Sequence, residues 1–391
     1  MGNSEARPRI DDPMIKKPVI ETGEFESAHE IEDSDLFEID DGNMPEIEID
    51  LEEHEIEGAG FGIEGAKAER GVKKEAQGGS EDRSFYSKEK KLAGVFDGLG
   101  GQIGGGGEVA AQIAMESIMK SFKTHEGDPV YSKQEAEALI VQALSVADQE
   151  ILNSGASLIH PEMATTASVV AFYKDKDSNK DMVLLGQVGD SKVYRLRQGK
   201  LELISPDDSP IAFFEDFGVK VDTSDLNRNF IDAIDKKSLS SALVGKTEKD
   251  IAEINMALNV FKGKTIGELR NITLSALGGG EKAVRTKPRA RSIEDEDGDL
   301  FILTTDGMSD NYEDEQIEEK LTELKKGKSG FTIPGSSLGE QSTDNVSSEL
   351  VDFGVQGQSG KRKNKIDDIS IVAIRAKVKK AAEQQAVQKA A

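Results

Sequence analysis

The stretch from Leu184 to Ser205, LLGQVGDSKVYRLRQGKLELIS, decides the fold class. Its apolar run ends at Gly189-Asp190, and the residues that follow alternate apolar and polar side chains on both sides of Gln198-Gly199. Alternation with a period of two is typical of a half-buried strand, and a Gly-containing dipeptide between two such runs is typical of a hairpin turn. The stretch therefore predicts a strand followed by an antiparallel hairpin.

Further strands and helices are predicted on both sides of this stretch. The other predicted strands are Lys91 to Asp97, Thr165 to Tyr173, Asp299 to Gly307 and Asp367 to Arg375. Helices are predicted from about Glu108 to Lys123, from the capping box Ser132-x-x-Glu135 to about Asn153, and from about Asp314 to Lys325. Residues 206–298 are interpreted as mostly helical and polar, and the Gly/Ser-rich residues 327–364 as a loop or insertion.

Acidic residues recur at the boundaries of the apolar strands. They are Glu81-Asp82, Asp97, Asp190, Asp306 and Asp367-Asp368. A single Asp-Gly pair is explained by a tight turn. Several acids at strand ends can instead converge at one rim of a sheet, where their oxygens suit Mg²⁺ or Mn²⁺ better than Zn²⁺.

The composition excludes several classes of function. The 391 residues contain no Cys and only four His, so disulfides, thiolate zinc sites and cysteine nucleophiles are excluded. The formal net charge is -25, which argues against nucleic acid or an anionic membrane as a partner. The longest apolar run, Ala167 to Tyr173 apart from Ser168, is too short to cross a bilayer. No secretory signal is evident at the start, and a cytoplasmic monomer is expected.

The negative charge is unevenly distributed. Residues 1–57 carry 20 acidic and 4 basic side chains, whereas the remaining 334 residues carry 54 acidic and 45 basic ones. So much like charge with few aromatic residues predicts a disordered, solvated tail, and binding of a partner is the alternative. Within it, EIEIDLEE at Glu46 to Glu53 is a possible edge strand. Residues 377–391 are interpreted as a second tail.

Four segments together resemble a known family. MATTASVVAFY (Met163–Tyr173), the hairpin stretch quoted above, FILTTDGMSD (Phe301–Asp310) and DDISIVAI (Asp367–Ile374) are similar in order and style to the metal-dependent protein Ser/Thr phosphatases of the PP2C, or PPM, family. SEDRSF, VFDGLGG and RNITLSALGG look like further motifs of its bacterial members. The resemblance covers residues 58–376, with insertions at about 206–298 and 327–364. It implies an α+β fold, a four-layer α-β-β-α sandwich with two antiparallel sheets.

The resemblance also implies a two-metal centre built from the strand-boundary acids. Asp97 would bridge two Mg²⁺ or Mn²⁺ ions, with the Gly98 carbonyl on one of them. Asp306 and Asp367 would hold the other ion, and Asp82 would bind directly or through water. Asp190 and Asp310 match the acids that hold a third ion in many bacterial members. Asp97 and Asp306 would thus act through metal-bound water, since a metal-bridged hydroxide attacks the phosphate in line.

The sequence departs from the family pattern at three positions. Leu99 stands where many eukaryotic members have a His, so it cannot act as a general acid. Gln77 stands where the family places a phosphate-binding Arg. The possible substitutes are Lys73, Lys74, Arg83 or a residue from the 206–298 region, and weak phosphate binding is the alternative. Lys lacks the bidentate fork of Arg. The last motif reads Asp367-Asp368 where Asp-Asn is commoner, which adds local negative charge.

The sequence therefore supports three functional hypotheses. The first is metal-dependent hydrolysis of phosphoserine and phosphothreonine in proteins. The second is a catalytically weak PPM-like module that binds a phosphoprotein or a signalling partner, motivated by Gln77 and the long insertions. The third is a regulator whose acidic tail gates the site by mimicking a phosphate.

Overall fold

The computed structural model describes residues 63–70, 80–99, 106–124, 128–270, 272–279, 288–325, 343–358 and 367–376. All of these lie in the second of the two units of the chain, Ile56–Ala391. The acidic segment 1–57, with its possible edge strand at Glu46 to Glu53, and the second tail at 377–391 lie outside the described residues. So do Lys73, Lys74 and Gln77.

The strands of the described residues form two large sheets and one small one. The strands are β1 (Ile63–Arg70), β2 (Arg83–Ser87), β3 (Leu92–Phe96), β4 (Gly98–Leu99), β5 (Val130–Tyr131), β6 (Ala164–Thr165), β7 (Ala167–Asp175), β8 (Asp181–Val188), β9 (Lys192–Arg197), β10 (Lys200–Leu203), β11 (Leu277–Gly278), β12 (Arg289–Glu294), β13 (Leu300–Thr304) and β14 (Ile369–Ala376). Sheet A has the order β1-β14-β13-β9-β10, and sheet B has the order β12-β8-β7-β3-β2. Neighbours in both are antiparallel, and β5 adds to β7 in parallel. The small sheet has the order β11-β6-β4.

The helices of the described residues fall into three groups along the chain. The first is α1 (Gly107–Ser121) and α2 (Lys133–Leu152). The second is α3 (Pro210–Asp216), α4 (Phe230–Ala233), α5 (Lys236–Ala242), α6 (Glu248–Val260) and α7 (Ile266–Leu269). The third is α8 (Asp306–Ser309), α9 (Asp314–Lys325) and α10 (Thr343–Gln358). None of them is long and apolar enough to cross a membrane.

The two large sheets pack face to face. Val95 and Leu185 of sheet B are buried in one apolar cluster with Leu303 of sheet A. Phe172 of sheet B meets Phe301 of sheet A edge to face, with ring centroids 5.7 Å apart. Burial of these side chains removes apolar surface from water, which is the main stabilising contribution to the sandwich.

Helices cover the outer face of each sheet. Ile302, which alternates with the inward Phe301 and Leu303, packs outward in a cluster with Leu321 of α9 and Leu350 of α10. On sheet B, a Cβ on Gly186 would lie 2.2 Å from Ile140 Cγ1, so the glycine lets α2 approach β8 closely. The order of layers is α-β-β-α, and the expectation of a sandwich of two antiparallel sheets is confirmed.

Helices α3 to α7 form an insertion with its own apolar core. Phe214, Phe230, Ile254 and Phe261 are buried together there. Thr247 begins α6 with a capping box to Asp250, which satisfies two backbone N–H groups at the helix start. Helices are thus present within 206–298, as predicted, but they make up less than half of its described residues, so the interpretation of the segment as mostly helical was wrong.

Two interpretations of polar segments were wrong in part. Residues 289–294 form β12, a polar edge strand that pairs along its whole length with β8 from Arg289↔Gln187 to Glu294↔Met182. The segment 327–364, interpreted as a loop, contains α10. This helix forms because Val346 and Leu350, one turn apart, are buried against sheet A.

Candidate metal centre

Sheet B brings three of the predicted acids to one end. Asp82 precedes β2 and Asp97 follows β3, and the antiparallel register Arg83↔Phe96 places the two at the same end of the pair. β7 pairs with β8 through Ala167↔Val188, so Asp190, two residues after β8, lies at that end too.

Sheet A brings the remaining acids to its corresponding end. Asp306 follows β13, while Asp367 and Asp368 precede β14, and the two strands are paired through Thr304↔Ile371. A Cβ on Gly307 would lie 1.9 Å from the Asp368 carbonyl oxygen, so only glycine permits this approach. In the pair Asp306-Gly307, Asp306 therefore supplies the acid and Gly307 is required for close packing.

Two hydrogen bonds join these ends across the two sheets. The Thr305 hydroxyl donates to Asp82 Oδ2 at 2.7 Å and accepts the Ser370 backbone N–H at 3.0 Å. The Glu81 backbone N–H donates to Asp368 Oδ2 at 2.8 Å. Both carboxylates are almost fully buried. The ends of sheets A and B thus form a single acidic rim.

The acids of this rim act on one another electrostatically. Burial, the largest cause, raises the pKa of Asp82 well above its ordinary value, and the hydrogen bond from Thr305 opposes the shift. The negative charges of Asp306, Asp367 and Asp368 raise this pKa further. Such mutual repulsion is relieved by a cation, and the carboxylate oxygens are ligands suited to a hard divalent ion.

Asp97 and Gly98 are held by a hydroxyl-rich turn and by close backbone packing. The Asp97 N–H donates to the Thr166 hydroxyl at 3.0 Å, and the Asp97 carbonyl accepts the Thr165 hydroxyl and the Thr166 N–H, both at 2.9 Å. A Cβ on Gly98 would lie 2.4 Å from the Glu81 carbonyl oxygen. The Asp-Gly pair after β3 therefore has its backbone fixed next to Asp82.

The acids predicted for a third ion lie on different sheets. Asp190 follows Gly189, whose φ of 95° and contact with Thr166 require glycine. Asp310 lies one helical turn after Asp306, and its N–H donates to the Asp306 carbonyl at 2.8 Å. That Asp190 and Asp310 share an ion remains a prediction.

The carboxylates alone do not complete a metal site. Within the described ranges, no group of three or more Asp, Glu and His side chains has an arrangement that could hold a metal ion. The donor types and the charge of the rim nevertheless fit Mg²⁺ or Mn²⁺, because such ions also accept backbone carbonyls and water as ligands. That the Gly98 carbonyl serves as one of these ligands remains a prediction.

Arg83, a possible substitute for the missing phosphate-binding Arg, is held by protein groups. Its Nε donates to Gln112 at 2.9 Å, and its Nη1 donates to the carbonyls of Ser80 and Asp82 at 2.9 and 2.7 Å. Its Nη2 forms an ion pair with Glu108. These contacts fix the backbone around Asp82, which gives Arg83 a structural role beside the site.

Two charged residues near the rim were missed by the sequence reasoning. Asp208 is 6% exposed, accepts the Gly189 N–H at 3.1 Å and forms an ion pair with Arg289. Neither lies in an apolar strand or in a recognisable motif, and β12, which carries Arg289, has a polar sequence. A long-range ion pair of this kind leaves no signal in a single sequence.

The family model for protein phosphatase 2C matches residues 71–327, about two thirds of the chain. The chain belongs to the protein phosphatase 2C family. The match includes the acids at 82, 97, 190 and 306, while Asp367 lies beyond it.

Similar proteins include bacterial phosphatases. The serine/threonine protein phosphatase PstP of Mycobacterium tuberculosis is 23% identical over 294 residues, which cover 74% of this chain and 45% of PstP. The chain thus matches less than half the length of this curated relative. The crystal structure of the PstP catalytic domain in complex with two manganese ions has a TM-score of 0.51 and 20% identity, covering 81% of this chain and 99% of that one. The S. agalactiae serine/threonine phosphatase has a TM-score of 0.52 and 16% identity, with 80% and 98% coverage. At these identities the two structures support the protein phosphatase 2C fold alone.

Proposed function

We propose that this protein phosphatase 2C member hydrolyses phosphoserine and phosphothreonine in proteins, in a reaction that depends on Mg²⁺ or Mn²⁺. The observation that carries the proposal is the acidic rim. Two hydrogen bonds across the sheets, Thr305 to Asp82 and Glu81 to Asp368, bring acids from four strand ends together. The phosphatase domain spans residues 58–376 in this proposal.

The ligands are assigned to residues of the rim. Asp97 and the Gly98 carbonyl would hold one ion, Asp306 and Asp367 would hold the other with Asp97 shared between the two, and Asp82 would contribute directly or through water. When bound, a pair of divalent cations supplies an attacking water of lowered pKa and offsets the charge of the phosphate. The crystal structure of the PstP catalytic domain in complex with two manganese ions supports, by analogy, the proposal of a two-metal centre.

Neighbouring groups keep the carboxylates in place. Thr305, which follows β13 of sheet A, donates a hydrogen bond to one oxygen of Asp82, and this bond fixes the orientation of the Asp82 carboxylate. Thr166 orients the backbone at Asp97 through its N–H and its hydroxyl. Both supports are buried, so the Asp82 carboxylate and the Asp97 backbone are held in place before a cation binds.

The decisive experiment compares the wild type with Asp306→Asn. Turnover of p-nitrophenyl phosphate is measured with and without Mn²⁺, and binding of Mn²⁺ is measured by titration calorimetry. Asp306→Asn is expected to lower metal-dependent turnover on the order of 100-fold or more and to weaken metal binding. The control is Glu315→Gln, an exposed acid at the start of α9, which should behave as the wild type. Equal metal-dependent rates in wild type and Asp306→Asn contradict the proposal.

A second candidate is a catalytically weak module that binds a phosphoprotein. The contacts of Arg83 with Glu108 and Gln112 favour it. Because Arg83 is bound to these two residues, it does not replace the phosphate-binding Arg that the family has at the position of Gln77. Calorimetry distinguishes the two candidates: binding of two ions with negligible turnover favours the module.

The remaining expectations stay part of the proposal. They are a third ion between Asp190 and Asp310, a monomeric state, a cytoplasmic location and an acidic tail at 1–57 that modulates access. Deletion of residues 1–57 tests the tail, since an unchanged rate excludes gating.

A further inference from the structure

Arg289 and Asp208 form an ion pair at the end of sheet B that carries the rim. Asp208 bridges two groups, since one oxygen pairs with the Arg289 guanidinium and the other accepts the Gly189 N–H at 3.1 Å. Its backbone carbonyl also accepts the Leu274 N–H at 2.7 Å. The carboxylate is therefore buried and fixed, and it holds the guanidinium within a few ångströms of the Gly189-Asp190 turn.

The position of Arg289 follows from the register of its strand. Arg289 is the first residue of β12 and pairs with Gln187 of β8, two residues before Gly189. Gly189 contacts Thr166, and Thr166 accepts the Asp97 N–H. Arg289 thus lies on the edge strand of sheet B, at the end that carries the rim, with β8 and β7 between its strand and β3, which leads to Asp97.

The guanidinium of Arg289 is accessible, although its charge is partly offset. The side chain is 38% exposed, whereas Asp208 is 6% exposed. Burial lowers the pKa of Arg289, and the negative charge of Asp207 opposes this shift. A guanidinium has five N–H donors in a fixed fork, and one carboxylate uses at most two of them.

The other arginines described around the site are differently placed. Arg83 is tied to Glu108, Gln112 and two carbonyls. Arg270 donates from Nη1 to the Asp310 carbonyl at 2.7 Å. Arg289 differs from them in being held from one side by a buried carboxylate with the other side open to solvent.

We propose that Arg289 binds an acidic side chain of the phosphoprotein next to the phosphorylated residue, and so sets a preference for acidic flanking sequence. The proposal rests on the proposed function, in which the phosphate itself lies among Asp97, Asp306 and Asp367. Arg289 stands outside that group, behind the Gly189-Asp190 turn. Its partner is therefore a neighbouring carboxylate of the substrate, which a guanidinium recognises through paired hydrogen bonds.

The surroundings make such a contact selective. Residues 58–391 carry 54 acidic and 45 basic side chains, so an acidic peptide meets a chain segment of net negative charge. The fixed guanidinium of Arg289 at one edge of the site is then the place where an acidic residue of the substrate binds. In a partly exposed position we expect a preference of about fivefold, the size of a favourable surface ion pair.

The test measures substrate preference in matched variants. Two phosphoserine peptides are compared, identical except that the flanking residues are Glu in one and Lys in the other, and the ratio of their kcat/KM values is determined. The wild type should favour the Glu peptide, Arg289→Gln should remove the preference, and Arg289→Glu should reverse it. Arg291→Glu is the control, because Arg291 is an exposed arginine two residues along the same strand. It should keep the wild-type ratio.

A purely structural role predicts different results. If Arg289 only holds Asp208, its variants lose activity on both peptides equally and the ratio stays unchanged, which overturns the proposal. An equal change in Arg291→Glu also overturns it, because the effect is then general electrostatics. Since Arg289→Gln leaves Asp208 buried without its cation, the double variant Asp208→Asn with Arg289→Gln is measured too. It should lack the preference while keeping an acceptor for the Gly189 N–H.

Failure of the proposed function is recognised separately. If the wild type shows no metal-dependent turnover of p-nitrophenyl phosphate, the proposed function fails. The preference is then measured as the ratio of dissociation constants for the two peptides made with a non-hydrolysable phosphonate, by fluorescence anisotropy. A ratio that is equal in wild type and Arg289→Glu contradicts the inference in that case as well.

Discussion

Asp295 allows a quantitative prediction of how stability depends on pH. It lies in the turn between β12 and β13, and its N–H donates to the Asp181 carbonyl at 3.0 Å. Burial, the largest cause, raises the pKa of Asp295 from 3.8 to about 7, and the charges of Asp299 and Asp181 add to it. Asp297 adds a smaller contribution in the same direction, and Arg197 opposes the shift. Arg197 is itself committed to Asp299 through two hydrogen bonds, at 2.8 and 2.5 Å.

The sign of the effect follows from proton binding. Below about pH 4 both the folded and the unfolded chain carry the proton, so Asp295 leaves stability unaffected. Between about pH 4 and pH 7 the unfolded chain loses the proton while the folded chain keeps it, and stability falls as pH rises. At 1.36 kcal/mol for each unit of pKa, the loss is about 2 kcal/mol at pH 5.5 and about 4 kcal/mol at pH 8.

Replacement by Asn removes this titration. Asp295→Asn should therefore be more stable relative to wild type at pH 8 than at pH 5.5, by about 2 kcal/mol. The free energy of unfolding is measured by urea denaturation with circular dichroism at both pH values. Any cost of burying the Asn amide is the same at the two pH values and cancels in the comparison.

The control for this prediction is Asp297→Asn, an exposed neighbour that contributes little to the shift. Its stability difference from wild type should change by well under 1 kcal/mol between pH 5.5 and pH 8. The reasoning is refuted if the stability difference between Asp295→Asn and wild type is the same at both pH values.

Two further predictions concern the rim. Gly307→Ala places a Cβ 1.9 Å from the Asp368 carbonyl oxygen, so the free energy of unfolding should fall by several kcal/mol in thermal or urea denaturation. The control is Gly155→Ala, where a Cβ meets nothing within 4 Å. An equal effect of the two substitutions would argue against a role of close packing at Gly307. Thr305→Val removes both the donor to Asp82 and the acceptor of the Ser370 N–H with little change in side-chain shape, and it should weaken Mn²⁺ binding about 10-fold in calorimetry. An unchanged affinity would show that the hydrogen bond to Asp82 does not position the carboxylate.

The sequence was most informative where local pattern and packing agree. The alternation around Gln198-Gly199 predicted the hairpin of β9 and β10, and both turn residues have positive φ, 53° and 83°. The capping box at Ser132 predicted the start of α2, where Glu135 completes it. In each case the residues that decide the structure lie within a few positions of one another.

Long-range pairing explains what the sequence did not predict. β12 has few apolar residues and is a strand because β8 offers it an open edge. Asp208 and Arg289 are 81 positions apart in the sequence and meet only because β12 runs beside β8. The strand-end acids were predictable as a set, but the bonds from Thr305 and Glu81 that join the two sheets depend on tertiary packing.

The hydrogen bonds between the two sheets have a consequence for partly unfolded forms of the protein. Asp82 and Asp97 belong to sheet B, whereas Asp306 and Asp367 belong to sheet A. Each sheet could keep its own backbone hydrogen bonds while the apolar layer between them opens. In such a form the secondary structure is intact but the four acids are dispersed. The proposed activity therefore depends on cohesion between the two layers, and it should be lost in a loosened state that spectroscopy of the backbone would still report as folded.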